Sequence, residues 1–273
     1  MIFKAACIQN SATPDVHHDI NVLTGLINEA ASLGARFIAT PEYCAGLDTR
    51  DGLLYPYATA EQDHPAIPAL AALAVKHEAW ILIGSIGVKA PDGRILNRSF
   101  MLNARGEIVA RYDKIHMFDV DLGEGKQYRE SATIAPGQEA VESACFAGTI
   151  GLSICYDLRF AGLYRTYAQA GAGLLAIPAA FTKLTGEAHW HVLIRARAIE
   201  NGAYVIAPCQ YGTLAGGAQC YGHSLIVDPW GRVLAEGGES EGVIVADIDT
   251  ELAELTRSRI PSLRHDRTFA VAV

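Results

Sequence analysis

Two stretches of this chain repeat each other, and the repeat limits the folds open to it. Gly34-Ala35-Arg36-Phe37-Ile38-Ala39-Thr40-Pro41 resembles Gly171-Ala172-Gly173-Leu174-Leu175-Ala176-Ile177-Pro178. In each, a glycine suited to a helix C-cap leads into a short apolar strand that stops at proline. Further on, the stretch from Ser99 to Ala110 matches the stretch from Ser224 to Ala235. Both read as strand, glycine-bearing turn and second strand, the pattern of a β-hairpin. The spacing between copies differs in the two cases, which an insertion in one half accommodates. Each half therefore predicts helix, buried strand, helix, buried strand and hairpin. Strands this apolar need cover on both faces. The expected α/β architecture is a four-layer αββα sandwich of two pseudo-repeated halves, with residues 1–273 forming a single domain.

The bulk properties agree with such a fold and exclude several functions. A domain of 273 residues buries roughly 75% of its unfolded surface and needs no disulfide or metal for stability. The net charge is −8, from 22 basic and 30 acidic residues, with no Lys/Arg cluster, which argues against nucleic acid or an anionic membrane as partner. No apolar run approaches the ~20 residues that span a bilayer. Met1 to Gln9 reads as a first β-strand and not as a signal peptide. The cysteines at 7, 44, 145, 155, 209 and 220 form no C-x-x-C pair and no zinc spacing, which fits buried thiols in a reducing cytoplasm. His17, His18, His189 and His191 share no recognisable ligand spacing, so neither a metal nor another cofactor is expected.

Three strand ends stand apart. Cys155 follows the strand candidate Thr149 to Ile154 and precedes a helical stretch from about Gly162 to Ala170. A nucleophile at a strand-to-helix turn projects into the crevice beyond the sheet, where α/β sites form. A nearby helix N-terminus would favour its thiolate. Taken alone, Cys155 reads equally as a packing residue. Glu42 follows Ile38-Ala39-Thr40-Pro41, where a surface acid is the alternative, and Lys114 follows Ile108 to Asp113, where a solvated lysine is the alternative. Together they supply a nucleophile, a base and an electrophilic cation, the set that acyl transfer needs.

With their flanks, Pro41-Glu42, Tyr112-Asp113-Lys114-Ile115-His116 and Ile154-Cys155-Tyr156-Asp157-Leu158-Arg159-Phe160 resemble the three signatures of the nitrilase superfamily of carbon–nitrogen hydrolases. The likeness runs over essentially the whole chain. It is strongest to the Nit branch, which comprises deaminated glutathione amidases and ω-amidases. The strings that carry it are His116 to Asp121, Tyr128 to Ser131, Phe181 to Trp190, Arg195 to Glu200 and Tyr221 to Trp230. The resemblance implies a Glu42–Lys114–Cys155 triad and places Glu130 where the family has an auxiliary glutamate. As a sequence position, Glu130 also reads as a loop acid near Glu124 and Arg129.

The implied reaction is hydrolysis of the carboxamide of a small carboxylate-bearing substrate, giving acid and ammonia through a thioester on Cys155. Glu42 would take the thiol proton, pass it to the leaving group and later activate water. Lys114 and the Tyr156 N–H would hold the oxyanion. Glu130 would orient Lys114 and the amide. Tyr43, Phe118, Tyr156, Phe181 and Thr182 are candidates for the pocket wall. Arg159, Lys183, Arg195 and Arg197 are candidates to receive the substrate carboxylate, with the last two on a helix beginning near Glu187. Family likeness implies a homodimer or higher homo-oligomer, with the helices after Cys155 and His189 at the interface and the tail from 251 to 273 crossing it. The competing activities are a nitrilase, an N-carbamoyl amino acid amidohydrolase, a thiol redox switch and a non-catalytic scaffold.

Overall fold

The computed structural model describes residues 1–51, 53–90, 92–123, 125 and 127–272. Glu124, the loop acid grouped with Glu130 in the sequence, lies outside them, as does Val273 of the tail. The principal strands, in chain order, are β1 Ile2–Gln9, β2 Ala35–Ala39, β3 Trp80–Lys89, β4 Ile95–Leu102 and β5 Ile108–Asp113. They continue with β6 Glu142–Cys145, β7 Gly148–Leu152, β8 Leu174–Ala176, β9 Tyr204–Ala207, β10 Leu225–Val227, β11 Val233–Glu236 and β12 Gly242–Asp249. The helices are α1 Val16–Ser32, α2 Ala66–His77, α3 Ala161–Ala170, α4 Lys183–Asn201 and α5 Thr250–Arg259.

The repeat appears as expected. In one half, α1, β2, α2 and β3 lead into the β4–β5 hairpin; in the other, α3, β8, α4 and β9 lead into the β10–β11 hairpin. Gly34 (φ +89°) and Gly171 (φ +114°) close the helices before β2 and β8 in the left-handed conformation that glycine adopts without strain. β2 lies parallel to β1 and β3, and β8 lies parallel to β7 and β9. Helix α4 begins at Lys183, a turn earlier than the sequence expectation near Glu187.

Alternation along the strands builds the four layers. In β1, Phe3, Ala5 and Cys7 join the core between the two sheets, with Leu152, Leu174 and Ile206 of the second sheet. Ala6 and Ile8 face the other way and pack with Leu23 and Ile27 of α1 and Leu70 of α2. This period-two assignment to two apolar cores is why the strands read as continuous hydrophobic runs. Tyr164, Trp190 and Ile194 bring α3 and α4 onto the outside of the second sheet. β12, late in the chain, returns to pair antiparallel with β1, so the first sheet includes a strand from each end of the sequence. Among the described residues no helix is long and apolar enough to cross a membrane.

One glycine sets where the first sheet ends. A Cβ on Gly84 of β3 would lie 1.9 Å from the Thr40 carbonyl oxygen and 2.3 Å from that of Pro41. The strand therefore passes directly against the segment that carries Glu42. The expected effect of Gly84→Ala is a loss of about 1–3 kcal/mol from overpacking, whereas Gly25→Ala on the exposed face of α1, with nothing within 4 Å, gains roughly 0.5–1 kcal/mol. Thermal melting of the two variants checks the pair; equal midpoints would contradict the packing argument.

Candidate active site

Glu42, Lys114, Glu130 and Cys155 come together in one cavity between the C-terminal ends of β2, β5 and β7. Glu42, Lys114 and Glu130 are each only 2% exposed, so the readings of a surface acid, a solvated lysine and a loop acid all fail. The Lys114 ammonium donates to Glu42 Oε1 at 2.9 Å and to both Glu130 oxygens at 2.9 and 2.8 Å. Burial opposes a charge on Lys114, but Glu130 and Glu42 win and hold its pKa well above the usual value. Burial and the proximity of Glu42 raise the Glu130 carboxyl, with Lys114 pulling the other way.

The remaining lone pairs are occupied as buried carboxylates require. Glu42 Oε2 accepts from the Ala180 N–H at 2.8 Å, and Glu130 Oε2 accepts from the Phe118 N–H at 2.7 Å. Asn97, unremarked in the sequence, donates its Nδ2 to Glu42 Oε1 at 2.8 Å and to Glu130 Oε1 at 3.4 Å. Its signal lay in the strand phase, because Asn97 shares the inward face of β4 with Ser99 and Met101. The Gln210 side chain fixes the same segment from behind, donating to the carbonyls of Glu42 and Tyr43.

Cys155 leaves the end of β7 through Ser153 and Ile154 and opens a tight 3₁₀ turn, Cys155–Arg159, with α3 starting only at Ala161. Its backbone is left-handed (φ +48°), a strained setting for a side chain other than glycine, and its N–H donates to the Pro178 carbonyl at 2.9 Å. Asp157 secures this turn to the lysine strand. One oxygen accepts from the Ile154 N–H at 2.8 Å and the Tyr112 hydroxyl at 2.6 Å. The other accepts from the His116 N–H at 3.0 Å and lies 2.7 Å from His116 Nδ1. The Tyr156 N–H sits in the first turn and makes no backbone hydrogen bond among the described residues, leaving a donor beside the thiol.

The expectation of a helix-stabilised thiolate is corrected. Burial, then the adjacent Glu42 charge, push the Cys155 thiol well above its ordinary pKa, and the opposing pull of Lys114 does not overcome them. This setting favours the protonated thiol. Cys44 and Cys209 are pushed up to about 12 by burial and pack as inert thiols.

Tyr43, Phe118, Tyr156, Phe181 and Thr182 all line the cavity, as the sequence indicated. Arg159 does not. Its guanidinium lies behind the wall, over the Tyr156 and Phe181 rings, and reaches His189. Lys183 pairs with Glu239, Arg195 donates to the Gly231 carbonyl, and buried Arg197 holds the Leu158 carbonyl and Glu200. None of these four cations faces the cavity, because each is committed to joining α4 or the 3₁₀ turn to its surroundings. Among the described residues Lys114 is the one cation lining it. The cavity offers about 60 Å³ to water-sized groups and opens past Thr49, Leu54, Tyr128 and Ala218 into an outer groove of about 450 Å³.

The raised thiol has a measurable consequence. Thiolate absorbance in the ultraviolet, taken as wild type minus Cys155→Ala, is expected to be absent at pH 7 and still absent at pH ~8.5, the midpoint of a free cysteine. A thiolate signal at neutral pH would contradict the geometry.

The carbon–nitrogen hydrolase family matches residues 4–258. A deaminated glutathione amidase of Synechocystis is 38% identical over 270 residues, covering 96% of this chain and 97% of its own length. The human protein of the same name is 37% identical over 272 residues, covering 96% of this chain and 81% of its own. The crystal structure of Saccharomyces cerevisiae Nit3, described as a member of branch 10 of the nitrilase superfamily, superposes with a TM-score of 0.84 at 29% identity, covering 95% of this chain and 94% of that one. With the fold, the three signatures and this extent of likeness in agreement, the chain belongs to the carbon–nitrogen hydrolase family of the nitrilase superfamily.

Proposed function

We propose that this protein is a thiol-dependent amidase, in which Cys155 attacks the amide carbonyl of a small carboxylate-bearing substrate and forms a thioester. The observation that carries this reading is the buried Glu42–Lys114–Glu130 cluster in the cavity that Cys155 shares. The names of the relatives, deaminated glutathione amidase in Synechocystis and human, support the substrate class.

Attack requires the thiol to lose its proton as the carbon–sulfur bond forms. Glu42 is placed to take it, since its Oε2 carries only one hydrogen bond, from Ala180. The developing oxyanion is met by the Tyr156 N–H and by Lys114. Two of the three Lys114 contacts go to the single Glu130 carboxylate, so one proton turns to the oxyanion while the ammonium stays paired with both glutamates. Glu130 thus acts as a positioning residue that keeps Lys114 charged. Glu42 returns the proton to the departing amine or ammonia as the carbon–nitrogen bond breaks. It then takes a proton from the water that cleaves the thioester, and the cycle ends with acid, free thiol and Glu42 ready again.

Recognition of a substrate carboxylate falls to neutral donors of the wall and groove, among them Thr182 and Gln219, with Arg50 at the groove mouth beside Asp48. We further propose that the chain works as one hydrolase domain, in the cytoplasm, as a homodimer. Exposed Val192 and Ile199 on α4, Trp230 beside it, and Phe269 and Val271 of the tail supply apolar surface for self-association.

Cys155→Ala is expected to abolish amine or ammonia release while melting as wild type, and Lys114→Ala to lower the rate by at least the 10²–10³ typical of one lost oxyanion donor. Assays on α-ketoglutaramate, deaminated glutathione, a nitrile and an N-carbamoyl amino acid identify the preferred bond; turnover of the nitrile alone would overturn the amidase reading. Light scattering is expected to give the mass of a dimer, and a clean monomer would overturn that part of the proposal.

A further inference from the structure

Away from this cavity, three side chains that the mechanism does not use converge on one point. His191 projects from α4, His223 follows the short strand Gln219–Tyr221, and Glu236 ends β11. Their ligand atoms all lie within 4.8 Å of one another. His191 Nε2 is 3.2 Å and His223 Nδ1 is 2.7 Å from the same oxygen, Glu236 Oε1. We propose that His191, His223 and Glu236 bind a divalent first-row transition ion, for which zinc is the probe.

The donor set carries the choice of ion. Two imidazole nitrogens and one carboxylate oxygen suit zinc and its borderline neighbours and are poor ligands for calcium or magnesium, which take oxygen. Zinc bonds of about 2.0–2.2 Å at a tetrahedral centre separate the ligand atoms by roughly 3.3 Å, leaving the fourth position to water. An ion enters this site by displacing Glu236 Oε1 outward from the two imidazoles, and the Glu236 side chain is 41% exposed.

The histidine least able to move is also the one best prepared. His223 holds a left-handed backbone (φ +52°), its N–H donates to the Gly238 carbonyl at 2.7 Å, and its own carbonyl accepts from the Trp190 indole at 2.7 Å. Its ring stacks on Tyr221 at 4.3 Å and 26°. The second ring nitrogen, Nε2, faces Glu239 Oε1 at 3.8 Å. The absence of ligand spacing along the chain is explained by assembly from three separate elements.

The test uses the full chain with Cys155→Ser, which removes the reactive thiol as a competing ligand. Calorimetric titration with zinc is expected to show one equivalent bound and a rise in melting temperature, as ligand binding to the folded state requires. Cobalt in place of zinc is expected to give visible bands of a four-coordinate nitrogen and oxygen site without thiolate charge transfer. His191→Gln, His223→Gln and Glu236→Gln, each confirmed folded by circular dichroism, are expected to weaken binding at least tenfold and remove the melting shift. No stoichiometric binding, binding unchanged in the three variants, or a thiolate band in the cobalt spectrum would overturn the proposal.

Discussion

The site depends on keeping one ammonium charged in the interior. Lys114 is buried, and a lone cation there would shed its proton rather than bear the desolvation penalty. Glu42 and Glu130 prevent this by pairing with it on two sides, and Asn97, Ala180 and Phe118 satisfy the carboxylate oxygens in turn. Removing one partner from such a buried cluster typically costs about 3–5 kcal/mol, because the group left behind is an uncompensated charge. The same low polarity makes the cluster useful. A donor in water-free surroundings stabilises a developing oxyanion far more than one in solvent.

The two halves of the fold meet at this cluster. The first contributes Glu42 beyond β2 and Lys114 beyond β5, and the second contributes Cys155 beyond β7 and the Ala180 N–H beyond β8. Asp157 ties the halves together, since its oxygens bridge the Cys155 turn to Tyr112 and His116 on either side of Lys114. Gly84, without a Cβ, lets β3 run close enough beneath Thr40 and Pro41 to set the height of Glu42. Stability and chemistry therefore use the same contacts, and two of the left-handed residues, Cys155 and Tyr43, lie in the cavity itself.

The αββα layering was legible because the repeat is local: a cap, an apolar run and a proline recur in order, and each fixes an element by itself. Glu42, Lys114 and Cys155 were legible because each lies just past a strand end and its flanks match one of the three family signatures. Asn97 and Asp157 were not singled out, because their roles come from pairing across the sheets, and a polar residue in a strand or a turn carries no mark of its partner. Arg159, Lys183, Arg195 and Arg197 misled for the same reason. A cation near the site in sequence has many partners to choose from, and here each found a carbonyl, a carboxylate or a neighbouring ring outside the cavity. The thiolate expectation failed on a matter of degree: a short 3₁₀ turn offers less potential than a helix, while burial and Glu42 act at full strength.

The central claim is that Cys155 carries the acyl group. Intact-mass spectrometry of enzyme quenched during turnover of a slow amide, followed by peptide mapping, tests it directly. The account predicts a mass increase equal to the acyl group, located on the peptide containing Cys155 and released by hydroxylamine as a thioester. Turnover without any adduct on Cys155, or an adduct mapped to another residue, would contradict it.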